Sequence, residues 1–328
     1  MEQVIIIGAG PCGLSAAVEL KKLGIDPLMI EKGCVVNSIF HYPTQMRFFS
    51  SPDVLEIGDI PFMTEHEKPS RAEALQYFST VANRREVRIR SFEKVDSVQR
   101  CNGFFEVHTT DRFDIKHQYK AKYIIVATGY FDNPNLLGVP GEDLPKVTHY
   151  YKEAHPYQGM KVAIVGGKNS AVEAAMQLVR VGAEVTIIYR REAFTTSVKP
   201  WVRPLIDSMI DKGHVRVLWN SQVKEIKERS IVVVTDGVQT EFENDAVLAL
   251  TGYHPDRKLL LDMGIELMED TGAPFHYTDS METNIPGIYI AGVIAAGNNA
   301  NEIFIENGRF HGGIIAQHIE KKIKESTT

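Results

Sequence analysis

Cysteine is scarce in this chain, and long apolar runs are missing. Only Cys12, Cys34 and Cys101 occur, and none forms a C-x-x-C pair or joins a nearby histidine in a metal-ligand cluster. A disulfide-stapled fold is thereby excluded, no metal is expected, and a reducing compartment fits best. No apolar stretch approaches the roughly 20 residues of a membrane span. Met1 runs almost directly into the apolar segment Val4–Ile7, with no charged leader and cleavage site, so the expectation is a soluble, cytoplasmic protein. Excess positive charge is lacking as well. The 36 Lys and Arg residues against 42 Asp and Glu leave a net charge of -6, which argues against a generally basic surface that attracts nucleic acid or anionic membrane. What is present is an ordinary globular composition, 44% hydrophobic and 24% charged over 328 residues, with room for two domains.

One strand-turn-helix unit opens the chain. The apolar strand Val4–Ile7 leads into Gly8-Ala9-Gly10-Pro11-Cys12-Gly13, followed by a helix with small residues at Ala16 and Ala17, a stop at Gly24, and a second apolar run, Leu28–Ile30, ending in Glu31. In this pattern Gly8 permits a tight turn, Gly10 lets the backbone approach a pyrophosphate, and Gly13 lets the helix pack on the strand. The helix N-terminus offers N–H groups to phosphate. Glu31 is placed to accept hydrogen bonds from an adenosine ribose with a free 2′-hydroxyl, as in FAD or NAD.

The unit recurs 158 residues later. Val162–Val165 leads into Gly166-Gly167-Lys168-Asn169-Ser170-Ala171, then a helix ending near Gly182 and a strand, Val185–Tyr189. Two differences stand out. Lys168 replaces the second motif glycine, where an ammonium could contact phosphate directly. The second strand ends in Tyr189-Arg190-Arg191 rather than an acid, and paired guanidiniums suit a 2′-phosphate through charge-assisted bidentate hydrogen bonds. FAD is therefore expected at the first loop and NADPH at the second.

The resulting fold class is α/β, two Rossmann-like dinucleotide-binding domains with the NADPH domain inserted in the FAD domain. Val81–Val107 carries alternating apolar residues, and Tyr123–Val126 is a buried strand running into Ala127-Thr128-Gly129. The pattern returns in Ile231–Val234 and in Ala246–Leu250, which leads into Thr251-Gly252-Tyr253. Reading the two strand-then-Thr-Gly segments as crossings gives boundaries 1–130, 131–252 and 253–328. Ile288–Ile290 delivers Gly292 towards the flavin, a helix pattern spans 301–319, and a polar tail follows Lys321.

With these residues in view, the chain resembles the two-dinucleotide-binding-domain flavoproteins, and within them the thioredoxin-reductase-like group, over essentially its whole length. It departs from that group in two places. The stretch before the second glycine motif is His149-Tyr150-Tyr151-Lys152, with no redox dithiol, and Val293 stands where the group carries an aspartate against the flavin ribityl chain. Longer strings resemble the bacillithiol disulfide reductase family of low-GC Gram-positive bacteria: Glu31-Lys32-Gly33, Phe48-Phe49-Ser50-Ser51, Gly166–Ser170, 291–301 and Phe304–Gly312. The resemblance implies a homo-oligomeric flavoenzyme that uses NADPH to reduce an oxidised small thiol.

The candidate FAD residues are Gly8, Gly10, Pro11, Cys12, Gly13, Glu31 and Lys32, with Val95, Thr128, Gly129, Gly292 and Val293 completing the site. For NADPH they are Gly166, Gly167, Lys168, Asn169, Ser170, Arg190 and Arg191. Cys12 is the candidate catalytic thiol: at a helix N-terminus its pKa is expected to be lowered, so that its thiolate attacks a substrate disulfide. A small buried residue beside the pyrophosphate is the alternative. His41, His254 and His311 are candidate donors to the leaving thiolate. A flavin monooxygenase, a ferredoxin reductase of the same fold, or a low-turnover flavin redox sensor remain open, because fold alone does not fix the acceptor.

Overall fold

The computed structural model describes residues 1–299 and 302–327. Ala300 and Asn301, which end one of the family-like strings and begin the expected closing helix, lie outside the described residues. Two compact units emerge. The first comprises Met1–Phe40, Met46–Asn133 and the chain from Tyr253 onward; the second comprises His41–Gln45 and Pro134–Gly252. This division differs from the sequence boundaries in two places. Phe131–Asn133 groups with the first unit, where the rings of Phe131 and Tyr130 lie 4.7 and 6.1 Å from that of Tyr253. His41–Gln45 groups with the second, where the Thr44 N–H donates to the Lys152 carbonyl at 2.9 Å.

The first part of the first unit runs β1 (Glu2–Ile7), α1 (Pro11–Lys22), β2 (Leu28–Glu31), a short α2 (Asn37–His41), α3 (Arg71–Arg84), β3 (Arg88–Ser91), β4 (Glu93–Cys101), β5 (Phe104–Asp111) and β6 (Lys116–Val126). Val81 therefore lies in a helix, not in the alternating strand pattern that its neighbours suggest. The helix is set by a capping box, Ser70 accepting from the Glu73 N–H while Glu73 accepts from the Ser70 N–H. Strand β6 is long enough to join the parallel and antiparallel parts of one seven-stranded sheet. Its last residues pair in parallel with β1, Val4 opposite Tyr123, and its first residues pair antiparallel with β5 and through it β4.

The second unit holds β7 (Val147–Thr148), β8 (Lys161–Val165), α4 (Asn169–Arg180), β9 (Glu184–Ile188), α5 (Arg203–Asp211), β10 (Val215–Leu218), β11 (Ser221–Ile226), β12 (Ser230–Thr235), β13 (Val238–Glu243) and β14 (Ala246–Ala249). The chain then returns to the first unit as α6 (Arg257–Asp262), β15 (Ile288–Ile290), α7 (Ile305–Gly308) and α8 (His311–Thr327). In the first unit the parallel order is β3-β2-β1-β6 with β15 on the far side of β6. In the second it is β10-β9-β8-β14-β7, all parallel, beside an antiparallel β11-β12-β13. In each unit the strand that feeds the glycine turn, β1 or β8, thus lies inside a run of parallel strands, the arrangement that leaves a ligand crevice at the carboxyl ends of the strands. The central strands are hydrophobic because both faces are covered: Val4, Ile5 and Ile6 in β1 and Ala163 and Ile164 in β8 are fully buried.

The expected closing helix is two helices. Arg309 and Phe310 interrupt it, and α8 then continues through the supposed polar tail, carried by i,i+4 pairs such as Glu320–Lys324 at 2.7 Å. It packs closely on α1, since a Cβ on Gly312 would fall 2.6 Å from the Ala16 nitrogen. No helix among the described residues is long and apolar enough to cross a membrane.

Candidate cofactor-binding site

The glycines of the first loop have three different surroundings. Gly8 has φ +102°, and a Cβ there would lie 2.5 Å from the Ala127 carbonyl oxygen, so β1 turns here only because the side chain is absent. A Cβ on Gly13 would lie 2.3 Å from the Gly8 oxygen, which makes Gly13 the packing glycine. Around Gly10 nothing lies within 4 Å of that point. Gly10 is the extended N-cap of α1 and Pro11 its first residue, so the open face sits at the end of a helix whose first N–H groups lack helical partners. Beside it, Thr128 carries a buried hydroxyl with no hydrogen-bond partner among the described residues, a group that needs a ligand to be satisfied. Gly129 follows at φ +68°.

Glu31 is buried at the end of β2 and grips this loop. One carboxylate oxygen accepts from the Ala9 N–H and the other from the Gly33 N–H, both at 2.8 Å. Each oxygen retains a lone pair for a further donor. Burial pushes the carboxyl up and the two backbone donors oppose it. Val36 adds a second latch, donating its N–H to the Ala9 carbonyl at 3.0 Å from a left-handed backbone at φ +50°, a conformation a β-branched residue adopts only when its surroundings enforce it. Lys32 pairs with Asp132 at 2.9 Å. Val95 is buried in β4, next to an irregularity in its pairing with β5.

Cys12 and Gly292 meet on the other side of the loop. A Cβ on Gly292 or on Gly308 would fall 3.0 Å from the Cys12 sulfur, so two missing side chains make the notch that the thiol fills. Burial pushes this thiol up to about 12, the reverse of the direction expected from its helix position. Loss of water outweighs the partial positive charge of the helix end. Gly292, at φ +81°, starts a single 3-10 turn over Val293–Ala296, and its N–H donates to His311 Nδ1 at 3.1 Å. Burial first, and the neighbouring His276 second, bring His311 down to about 4. His311 is therefore neutral at neutral pH, with Nδ1 as the acceptor and the ring proton on Nε2. The His254 ring contacts the Pro255 carbonyl through Nδ1 at 2.9 Å, and His41 ends the short α2.

The second loop repeats the first with changed chemistry. Gly166 donates to the Ile188 carbonyl at 3.1 Å as Gly8 does to Ile30 at 2.8 Å. A Cβ on Gly166 would lie 2.5 Å from the Leu250 oxygen, and one on Gly167 would strike the Tyr189 ring. Lys168 occupies the N-cap of α4 with φ -106° and ψ -173°, extended backbone open to any residue, and both it and Ser170 are exposed. Asn169 differs from expectation: its side chain donates to the Ser197 carbonyl at 2.8 Å and accepts from the Lys199 N–H at 2.9 Å, so it orders the 195–199 loop. Arg190 and Arg191 are exposed just beyond β9, and among the described residues neither guanidinium has a hydrogen-bond or ion-pair partner. Among the described residues no cluster of His, Cys, Asp or Glu is built to hold a metal.

Two groups escape a reading by motif. Arg309 donates to the carbonyls of Asp53 (3.2 Å) and Glu56, and its own carbonyl accepts from Ser15 Oγ at 2.6 Å, tying 53–56 and α1 to the link between α7 and α8. His311 acts through a backbone N–H, which leaves no spacing signal. Both lie within the Gly308-Arg309-Phe310-His311 string, the only sequence cue to either.

The surroundings match known proteins closely. The profile of the pyridine nucleotide-disulphide oxidoreductases matches residues 5–292. Bacilliredoxin reductase Bdr of Bacillus subtilis (strain 168) is 51% identical over 323 residues, 98% of each chain. A solved bacillithiol disulfide reductase from Bacillus cereus is similar with a TM-score of 0.97 and 53% identity, over 98% of this chain and 99% of that one. Its counterpart from Staphylococcus aureus gives 0.94 and 47%, over 98% of each. With two glycine cradles at the ends of two parallel sheets and these relatives over its whole length, the chain belongs to the pyridine nucleotide-disulphide oxidoreductase family and is a thioredoxin-reductase-like oxidoreductase.

Proposed function

We propose that the chain is a cytoplasmic, homo-oligomeric reductase that holds FAD in its first unit and NADPH in its second and reduces a small disulfide, bacillithiol disulfide. The contrast between the two loops carries the cofactor assignment. The first is open at Gly10, adjoins the unsatisfied Thr128 hydroxyl and ends in the Glu31 carboxylate. The second puts Lys168 at the equivalent place and two unpaired guanidiniums at the end of its second strand. The substrate assignment rests on the relatives, one named for bacilliredoxin and two for bacillithiol disulfide.

In this reading the N–H groups of the first loop and α1 hold the FAD diphosphate, Glu31 receives the adenosine ribose hydroxyls, and Lys32, Val95, Thr128, Gly129, Gly292 and Val293 line the remainder. Gly166, Gly167, Lys168 and Ser170 hold the NADPH diphosphate, Asn169 joining them only through its backbone N–H since its side chain serves Ser197 and Lys199, with Arg190 and Arg191 on the 2′-phosphate. When bound, the flavin supplies a two-electron relay between a hydride donor and a disulfide. The net reaction consumes one NADPH, one proton and one disulfide and releases NADP⁺ and two thiols. Cys12 is the thiol proposed to meet the substrate, and the burial that keeps it protonated sets the condition under which it attacks.

The test is stopped-flow reduction of the purified protein by NADPH, followed by mixing with bacillithiol disulfide, a bacilliredoxin–bacillithiol mixed disulfide, other small disulfides, ferredoxin or oxygen. Bacillithiol disulfide is expected to reoxidise the flavin fastest. Faster reoxidation by the protein-bound disulfide moves the substrate to bacilliredoxin, and fastest reoxidation by oxygen or ferredoxin overturns the disulfide reading.

A further inference from the structure

Gly292 sits at a transition. The Ala291 N–H still donates to the Val126 carbonyl of β6, at 2.9 Å, but the next N–H, that of Gly292, has left the strand ladder. The backbone bends there through φ +81° and ψ -157°, and the Gly292 carbonyl already accepts from Ala295 at 3.1 Å as the 3-10 turn begins. The N–H is buried, so it needs a partner, and His311 Nδ1 at 3.1 Å supplies one from a different element.

The ring of His311 is itself well held. It is the first residue of α8, whose next residue, Gly312, lies against α1 so closely that a Cβ would fall 2.6 Å from the Ala16 nitrogen. Gly308, just before the α7–α8 link, closes on Cys12 from the same side. The position of the Gly292 peptide is therefore set from three directions, by β6, by Cys12 and by His311. Only the last is a side-chain hydrogen bond, and it requires an unprotonated Nδ1, which the burial of the ring maintains. The residue after Gly292 is Val293, which offers no polar side chain, so the orientation of the backbone alone decides what this turn presents.

We infer that His311 is a positioning residue for the flavin site: its Nδ1 fixes the Gly292 peptide and thereby the turn at Val293. This rests on the flavin reading of the first unit. The geometry distinguishes the two ring nitrogens. An asparagine amide oxygen stands at the place of Nδ1, whereas a glutamine amide reaches the place of Nε2.

The experiment uses the full chain stripped of flavin and titrated with FAD by fluorescence, for wild type and for His311→Asn, His311→Gln and His311→Leu, with thermal melting of each flavin-free protein and the flavin midpoint potential of each loaded one. Loss of one buried hydrogen bond corresponds to about tenfold in affinity. His311→Asn is expected to bind FAD within about threefold of wild type, while His311→Gln and His311→Leu bind about tenfold or more weakly and shift the potential. Should His311→Leu fail to fold, the Asn and Gln pair decides. Equal affinity in all four proteins, or equal loss in Asn and Gln, overturns the role of His311. A wild-type chain that takes up no FAD overturns the flavin reading itself.

Discussion

Two opposing influences act on Cys12. The helix end favours an anion in its first turn by about 0.3–1 kcal/mol, while burial between Gly292 and Gly308 removes the water that would solvate a thiolate and pushes the thiol up to about 12. Burial wins. The thiolate is then the minor form near neutral pH, and attack on a disulfide by that thiolate gains with rising pH until the thiol is ionised. If Cys12 is the nucleophile, the rate of flavin reoxidation by disulfide rises steeply between pH 7 and 10. Cys12→Ser, which keeps the small volume, then retains flavin and its reduction by NADPH but loses disulfide reduction by roughly a hundredfold or more. A flat pH profile together with an active Cys12→Ser protein assigns the thiol to packing alone.

The glycine loop makes a sharper statement at the level of the element. Gly8 and Gly13 are needed by the fold, because a side chain at either collides with backbone at 2.5 and 2.3 Å; Gly8→Ala and Gly13→Ala are expected to destabilise the protein by about 2 kcal/mol or more. Gly10 faces open space, so Gly10→Leu is expected to melt near the wild-type flavin-free protein yet to copurify without flavin. A yellow Gly10→Leu protein would mean that the open face serves something else. These roles were legible because the G-x-G-x-x-G spacing encodes them in steric terms. The strands of both sheets were legible too, since apolar runs such as Val4–Ile7 and Val162–Val165, all buried in the structure, leave few alternatives. What escaped were features set by contacts distant in sequence: the break between α7 and α8, the Arg309 bonds to 53–56, the service of Asn169 to its neighbouring loop, and the thiol's pKa. Helix α3 is a different case, for its Ser70–Glu73 box was readable and outweighs the alternation that begins at Val81.

At the scale of the whole molecule, one design has been used twice and tuned differently. Both sheets feed an inner parallel strand, β1 or β8, into a glycine turn and helix. The turns are superimposable in logic, with Gly8 bonded to Ile30 and Gly166 to Ile188. What separates them is charge, a buried carboxylate gripping the first loop and exposed cations around the second. The most direct test measures kcat/KM for NADPH and for NADH in the flavin-loaded chain and in its Arg190→Ala/Arg191→Ala variant. Two charge-assisted bonds to a 2′-phosphate correspond to about a hundredfold or more, so wild type should prefer NADPH by at least that factor and the variant should lose the preference at unchanged flavin content. A wild-type preference for NADH, or a preference for NADPH that survives the loss of both arginines, would contradict the account.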